Sequence, residues 1–156
     1  MRNVTVFVCL LVMPILAFSA GVPDFSGTWI RDVGRSDAMA TNIDGKTVPV
    51  SADLVIKQEG SNLQIESRWD YKPPTTTTYV LSGTENSQSD ERGNSTTYAT
   101  SWDQDKLVID ELARASTPFG RAEVRTRSEW SLSDAGNTLT IVTTSNGLSR
   151  KQIYHR

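Results

Sequence analysis

The chain holds one cysteine and one histidine in 156 residues, and each scarcity removes a class of chemistry. The cysteine, Cys9, sits inside an apolar leader, so the rest of the sequence has neither a disulfide nor a thiol nucleophile. A zinc site needs several His or Cys ligands, and no metal site is expected. The histidine, His155, stands beside the end of the sequence, where chains usually fray. A Ser-His-Asp arrangement would have to hang on it. Asp90-Glu91 and Asp103-Gln104-Asp105 lack the spacing of a calcium loop, and nothing singles out a carboxylate pair for glycoside hydrolysis. No catalytic residue and no cofactor is therefore predicted, and the chain reads as a non-enzyme.

Positive charge is also scarce. The net charge is −2, and the leader contributes Arg2 without any acid, so the remainder is one unit more negative. That argues against nucleic acid as a partner. No convincing helical period occurs after the leader.

The leader itself has three parts. Arg2 gives a short positive start, Val4 to Phe18 is apolar except at Thr5 and Pro14, and small residues follow at Ala17, Ser19 and Ala20. This is the anatomy of a cleaved signal peptide, read here as residues 1–20, with 21–156 as one domain. The alternative is a membrane anchor, but the run falls short of the roughly 20 residues that span a bilayer. A secreted or periplasmic protein without a stable membrane anchor is expected, with cleavage before Ala20 or Gly21.

What remains reads as strands. In Asn62 to Tyr71, the residues Leu63, Ile65, Ser67, Trp69 and Tyr71 alternate strictly with polar ones, the pattern of a half-buried antiparallel strand. Weaker versions cover Gly27 to Val33, Ala52 to Gln58, Thr75 to Ser82, Asn94 to Trp102, Lys106 to Ala115, Arg121 to Ser133, Thr138 to Asn146 and Leu148 to Tyr154. Turns rich in Asp, Asn and Gly, such as Asp134-Ala135-Gly136-Asn137, lead repeatedly into Leu-x-Ile, which predicts a meander of hairpins. The sum is an all-β, antiparallel up-and-down barrel of roughly eight to nine strands. Gly34 to Val50, Lys72 to Pro74 and Gly83 to Gly93 read as loops, the last as a mobile polar tip.

Asp24-Phe25-Ser26-Gly27-Thr28-Trp29, with Asp32 and Ser36-Asp37 after it, resembles the Gly-x-Trp opening of small exported bacterial proteins described as lipocalin-like. Trp102-Asp103-x-Asp105-x-Leu107-Val108-Ile109 and Leu132-Ser133-Asp134-x-Gly136-x-Thr138-Leu139 are similar to hairpins of the same group. The resemblance implies that Trp29 is a barrel-closing plug, covered by Arg150 or Arg156 through a cation–π contact. A wider likeness to calycin barrels rests on Gly27-Thr28-Trp29 and Ile153-Tyr154. In the fatty-acid-binding members an Arg-x-Tyr on the last strand holds a carboxylate, but Gln152 stands at the Arg position here.

Two readings of function follow. In one, the barrel holds a small hydrophobic or amphipathic ligand, with Trp69, Tyr71, Tyr98, Arg150 and Tyr154 as candidate ligand-binding residues because their strand faces are read as inward. An inward arginine needs an anion or hydrogen-bond partners to offset its desolvation. In the other, the interior is filled and the outer surface binds a protein, as the resemblance to barrel-type secreted protease inhibitors allows. A lumen of roughly 300 Å³ or more would favour the first.

Overall fold

A computed structural model describes residues 22–38, 40–43, 46–49, 52–90, 93–118 and 120–156. The leader, and with it the expected cleavage site, lies outside the described residues. The elements are β1 (Gly27–Arg31), β2 (Ala40–Ile43), β3 (Lys46–Pro49), β4 (Ala52–Glu59), β5 (Asn62–Trp69), β6 (Thr75–Val80), β7 (Glu85–Ser89), β8 (Ser95–Asp103), β9 (Lys106–Thr117), β10 (Gly120–Ser133), β11 (Thr138–Ser145) and β12 (Leu148–His155). A single 3₁₀ turn, Asp134–Gly136, joins β10 to β11.

Ten strands form one antiparallel sheet in the order β6-β5-β4-β1-β12-β11-β10-β9-β8-β7, and β2 pairs with β3 as a separate hairpin. The sheet curls into a nearly closed barrel. Its edge strand β6 is met across the gap by one side chain of β7 and two of β8. Gln88 Nε2 donates to Thr78 O at 2.8 Å, Val80 N donates to the Tyr98 hydroxyl at 3.2 Å, and Thr100 Oγ1 donates to Val80 O at 3.0 Å. These bonds satisfy edge groups that water or a second chain would otherwise take.

Two differences from the sequence expectation add strands: one brings the barrel sheet to ten, and the other adds a separate two-stranded hairpin. Gly83 to Gly93, expected as a mobile tip, contains β7, whose five residues pair with β8 from Glu85↔Ala99 to Ser89↔Ser95. Its composition, Glu-Asn-Ser-Gln-Ser, is polar because an edge strand facing a gap has little to bury, and a propensity argument misses such a strand. Gly34 to Val50, expected as a loop, contains the β2–β3 hairpin.

One half of the barrel is filled. Phe25, Trp29, Ile56, Leu63, Leu107, Ile109 and Leu139 are almost wholly buried there. Phe25 stacks on Trp102 with centroids 6.2 Å apart and meets Trp130 edge-on at 5.9 Å, geometries that aromatic quadrupoles favour. Trp29 Nε1 donates to Phe25 O at 2.8 Å, so the plug buries no orphan donor. Arg156 lies over the Trp29 ring, 4.6 Å from its centroid. Of the two arginines that the resemblance offered as its cover, Arg156 takes the place.

Gly27 explains why the opening needs glycine. Its φ is +145°, and a Cβ there would lie 3.4 Å from Arg156 Nε. A side chain would meet both a disfavoured backbone conformation and the cation that covers Trp29.

His155 is not frayed. Its Nε2 lies 3.0 Å from Asp32 Oδ2 and its Nδ1 3.2 Å from Thr138 Oγ1. Residues 32–37 continue β1 along β12: Asp32 N donates to Ile153 O and Asp37 N to Lys151 O, each at 2.8 Å. Ile153 N donates to Ser36 Oγ at 2.9 Å, and Lys151 N to Asp37 Oδ2 at 2.6 Å. Asp32, Ser36 and Asp37, part of the recognised opening, therefore act as a side-chain rail for the last strand.

Candidate functional site

Strand alternation, anchored by buried Trp130, assigns the inner face. Leu107, Ile109 and Glu111 face Trp130, Ser128 and Thr126 across β9–β10, while Ile141 and Gln152 continue the same face through β11 and β12. Above the filled half, this face lines an open-mouthed lumen of about 230 Å³. Leu54, Ile65 and Ile141 give it an apolar floor. Trp69, Tyr79, Trp130 and Tyr154 give it aromatic walls, and Ser67, Thr77, Ser128, Thr143 and Gln152 add hydroxyl and amide groups.

Arg31 is the cation of this lumen. It lies on β1 two residues after Trp29 and hence on the same strand face, in register with Tyr154 of β12. It is buried, and its Nη2 donates to Asp37 O at 2.7 Å. Its backbone N donates to Asp53 Oδ1 at 3.0 Å. Burial pushes the Tyr154 hydroxyl up to about 12, a rise that Arg31 opposes and Asp53 reinforces, so Tyr154 is a neutral donor at any physiological pH. A guanidinium beside a phenol suits an oxyanion. Trp130 Nε1 is a buried donor with no hydrogen-bond partner among the described residues.

A second polar pair lies on the inner face. The Tyr79 hydroxyl donates to Glu111 Oε1 at 3.0 Å, and Tyr79 meets Tyr98 edge-on at 5.1 Å. Burial raises the Glu111 carboxyl above its ordinary range, and the Tyr79 bond partly opposes that. Burial, with the Glu111 charge beside it, pushes the Tyr79 phenol strongly upward.

The five candidates from the sequence are placed in three different settings. Trp69 and Tyr154 line the lumen. Tyr98 is buried on the inner face, but its hydroxyl serves the β6 edge through Val80 N. Tyr71 lies past the end of β5 and is 39% exposed; it packs edge-on against Trp69 at 5.8 Å, beside Lys72 Nζ, which stands 4.5 Å above the Trp69 ring. Arg150 shares the strand face of Gln152 and Tyr154 and is in register with Thr143. It is nevertheless exposed, near the β11–β12 turn and beyond the lumen lining, because β12 begins only two residues before it. Arg31 and Trp130 were not among the candidate ligand-binding residues, and Gln152 was noted only as the residue at the Arg position of the fatty-acid-binding pattern. The signal for Arg31 was its spacing from Trp29.

Among the described residues no three of His, Cys, Asp and Glu converge on a point that could hold a metal ion. The chain Asp32–His155–Thr138 has the order of a hydrolytic triad. Thr138 is buried, however, and its hydroxyl donates to Asp134 Oδ2 at 2.7 Å, which commits the proton a nucleophile would have to surrender.

No protein family and no curated protein sequence matches the chain. Solved structures do. A fatty-acid-binding protein 1 from Echinococcus granulosus aligns with a TM-score of 0.58 at 15% identity, covering 85% of this chain and 96% of that one. Human cRBP IV aligns at 0.58 and 16%, covering 86% and 98%. Secretory abundant heat soluble protein 4 from Ramazzottius varieornatus aligns at 0.57 and 17%, covering 85% and 94%. At such identities the likeness is one of architecture alone, and the chain has the calycin-type β-barrel fold.

Proposed function

We propose that the chain is an exported, non-enzymatic binding barrel that holds a small amphipathic molecule in its lumen, with the polar end against Arg31 and Tyr154. The observation that carries this reading is the buried Arg31 beside Tyr154 at the wall of an open-mouthed lumen of mixed apolar and polar lining. A guanidinium carries five N–H donors in a planar fork, so Arg31 can keep its bond to Asp37 O and still offer a donor, beside the Tyr154 hydroxyl, to the oxyanion of a ligand. The structural neighbours named as a fatty-acid-binding protein and cRBP IV support the use of such a lumen. The lumen of about 230 Å³ falls short of the roughly 300 Å³ named above as favouring a ligand, so the reading leans on the lining rather than on volume and calls for a small occupant.

The outer surface is a weaker candidate. A concavity of about 470 Å³ crosses β8 to β11, walled in part by Arg125, Arg127, Asp110 and Leu112. Arg127 already pairs with Asp110 at 3.0 Å and Glu129 at 3.3 Å, so its charge is met within the sheet surface.

Native mass spectrometry of the protein recovered from its own source tests the reading. A bound small acid that is lost on unfolding and absent from Arg31→Gln is expected; a mass equal to that of the bare chain in both proteins would refute it. N-terminal sequencing of the same material is expected to begin near Ala20 or Gly21.

A further inference from the structure

We infer that the lumen selects compact carboxylates of about ten heavy atoms and rejects long-chain fatty acids, an inference that rests on the lumen reading above. The limit comes from the filled half of the barrel. Phe25, Trp29, Leu107 and Leu139 occupy the depth that a long chain would need, and each is 0% exposed. Making room there would expose the plug and break the packing of its large side chains. The remaining space of about 230 Å³ is smaller than the roughly 300 Å³ at which ordinary ligand pockets begin. A short-chain or single-ring acid fits that space, whereas a long-chain fatty acid of about 18 heavy atoms does not.

The lining adds a second criterion. Ser67, Thr77, Ser128 and Thr143 place hydroxyls around the lumen, Ser128 and Thr143 within 3.4 Å of each other, so its lining is matched better by a ligand with a polar end than by a bare hydrocarbon chain. The buried Trp130 Nε1 lies in the same wall. Trp69, Tyr79 and Tyr154 offer ring edges and faces to a compact apolar body. The carboxylate end is assigned to the Arg31 and Tyr154 side, where β1 and β12 meet.

Calorimetric titration of the protein with octanoate, 3-phenylpropionate, octan-1-ol and palmitate tests the inference. Saturable binding of the two compact acids is expected, at least tenfold tighter than octan-1-ol and at least tenfold tighter than palmitate. Palmitate binding as tightly as octanoate overturns the size limit and leaves the lumen reading standing. Octan-1-ol binding as tightly as octanoate overturns the carboxylate assignment. Because Arg31→Gln risks unfolding the β1–β12 junction, Ser67→Leu serves as a second variant that fills the lumen and leaves Arg31 in place. It is expected to weaken both compact acids at least tenfold. Unchanged binding in Ser67→Leu, or no binding of any probe to the wild type, overturns the lumen reading and the inference together.

Discussion

At the scale of single residues, the opening motif is one interlocked contact. Trp29 fills the closed half of the barrel, Arg156 covers its ring, and Gly27 leaves the space that the guanidinium crosses. Trp29→Ala is expected to lower stability by about 3–5 kcal/mol, the cost of emptying a large buried aromatic site. Gly27→Ala is expected to cost about 1–3 kcal/mol through its φ of +145° and the displaced Arg156. Equilibrium urea unfolding checks both, and a loss below about 1 kcal/mol for Trp29→Ala would show that the plug bears no load. Trp29 was legible in the sequence because an invariant geometric need, a large ring beside a glycine, left a short motif. Arg31 was not, since a basic residue at the end of a short strand looks the same whether it points to solvent or to a lumen.

At the scale of elements, the rail of residues 32–37 decides how β12 is held. The hydrogen bond from His155, with the backbone N–H of Arg35 acting the same way, holds the Asp32 carboxyl below its ordinary value of 3.8. A carboxyl whose pKa is lowered on folding adds stability above its unfolded value and loses that contribution as pH falls through the folded one. The barrel is therefore expected to lose part of its hold on β12 only below about pH 4. Asp32→Asn is expected to unfold with a shallower acid dependence in that window and with little change in slope between pH 5 and 7, as monitored by circular dichroism. An equal acid slope in wild type and variant would remove the Asp32–His155 contact from the explanation. The longer strands were readable because one of their faces is greasy and the other wet. β7 was not, since both its faces are polar and its place is fixed by pairing with β8.

At the scale of the whole molecule, period-two alternation and Asp/Asn/Gly turns were enough to identify an antiparallel barrel, because each hairpin is a local event. The lumen was less legible. Its boundary depends on how deep the aromatic plug reaches, and that is a sum over ten strands rather than a property of any one. Trp69 and Tyr154 are brought to one lumen, whereas Arg150 and Tyr71 lie at its margin, a distinction set by where strands end.

The position of β1 between β4 and β12 also sets the order in which the barrel can assemble. β8 to β11 are joined by short hairpins and can pair as soon as neighbouring residues meet. The contacts that seal β1 span far more chain: 117 residues for Ser36–Ile153, 123 for Asp32–His155 and 132 for Asp24–Arg156. Such distant pairings form slowly, since loop closure must precede any gain from them. Pulse-labelled hydrogen exchange during refolding is expected to protect the β9, β10 and β11 amides before those of Asp32 and Ile153, and simultaneous protection would contradict this sequence of events. Until that late step, one flank of β1 carries unpaired backbone groups beside an uncovered tryptophan, so the half-assembled barrel is the form most exposed to self-association.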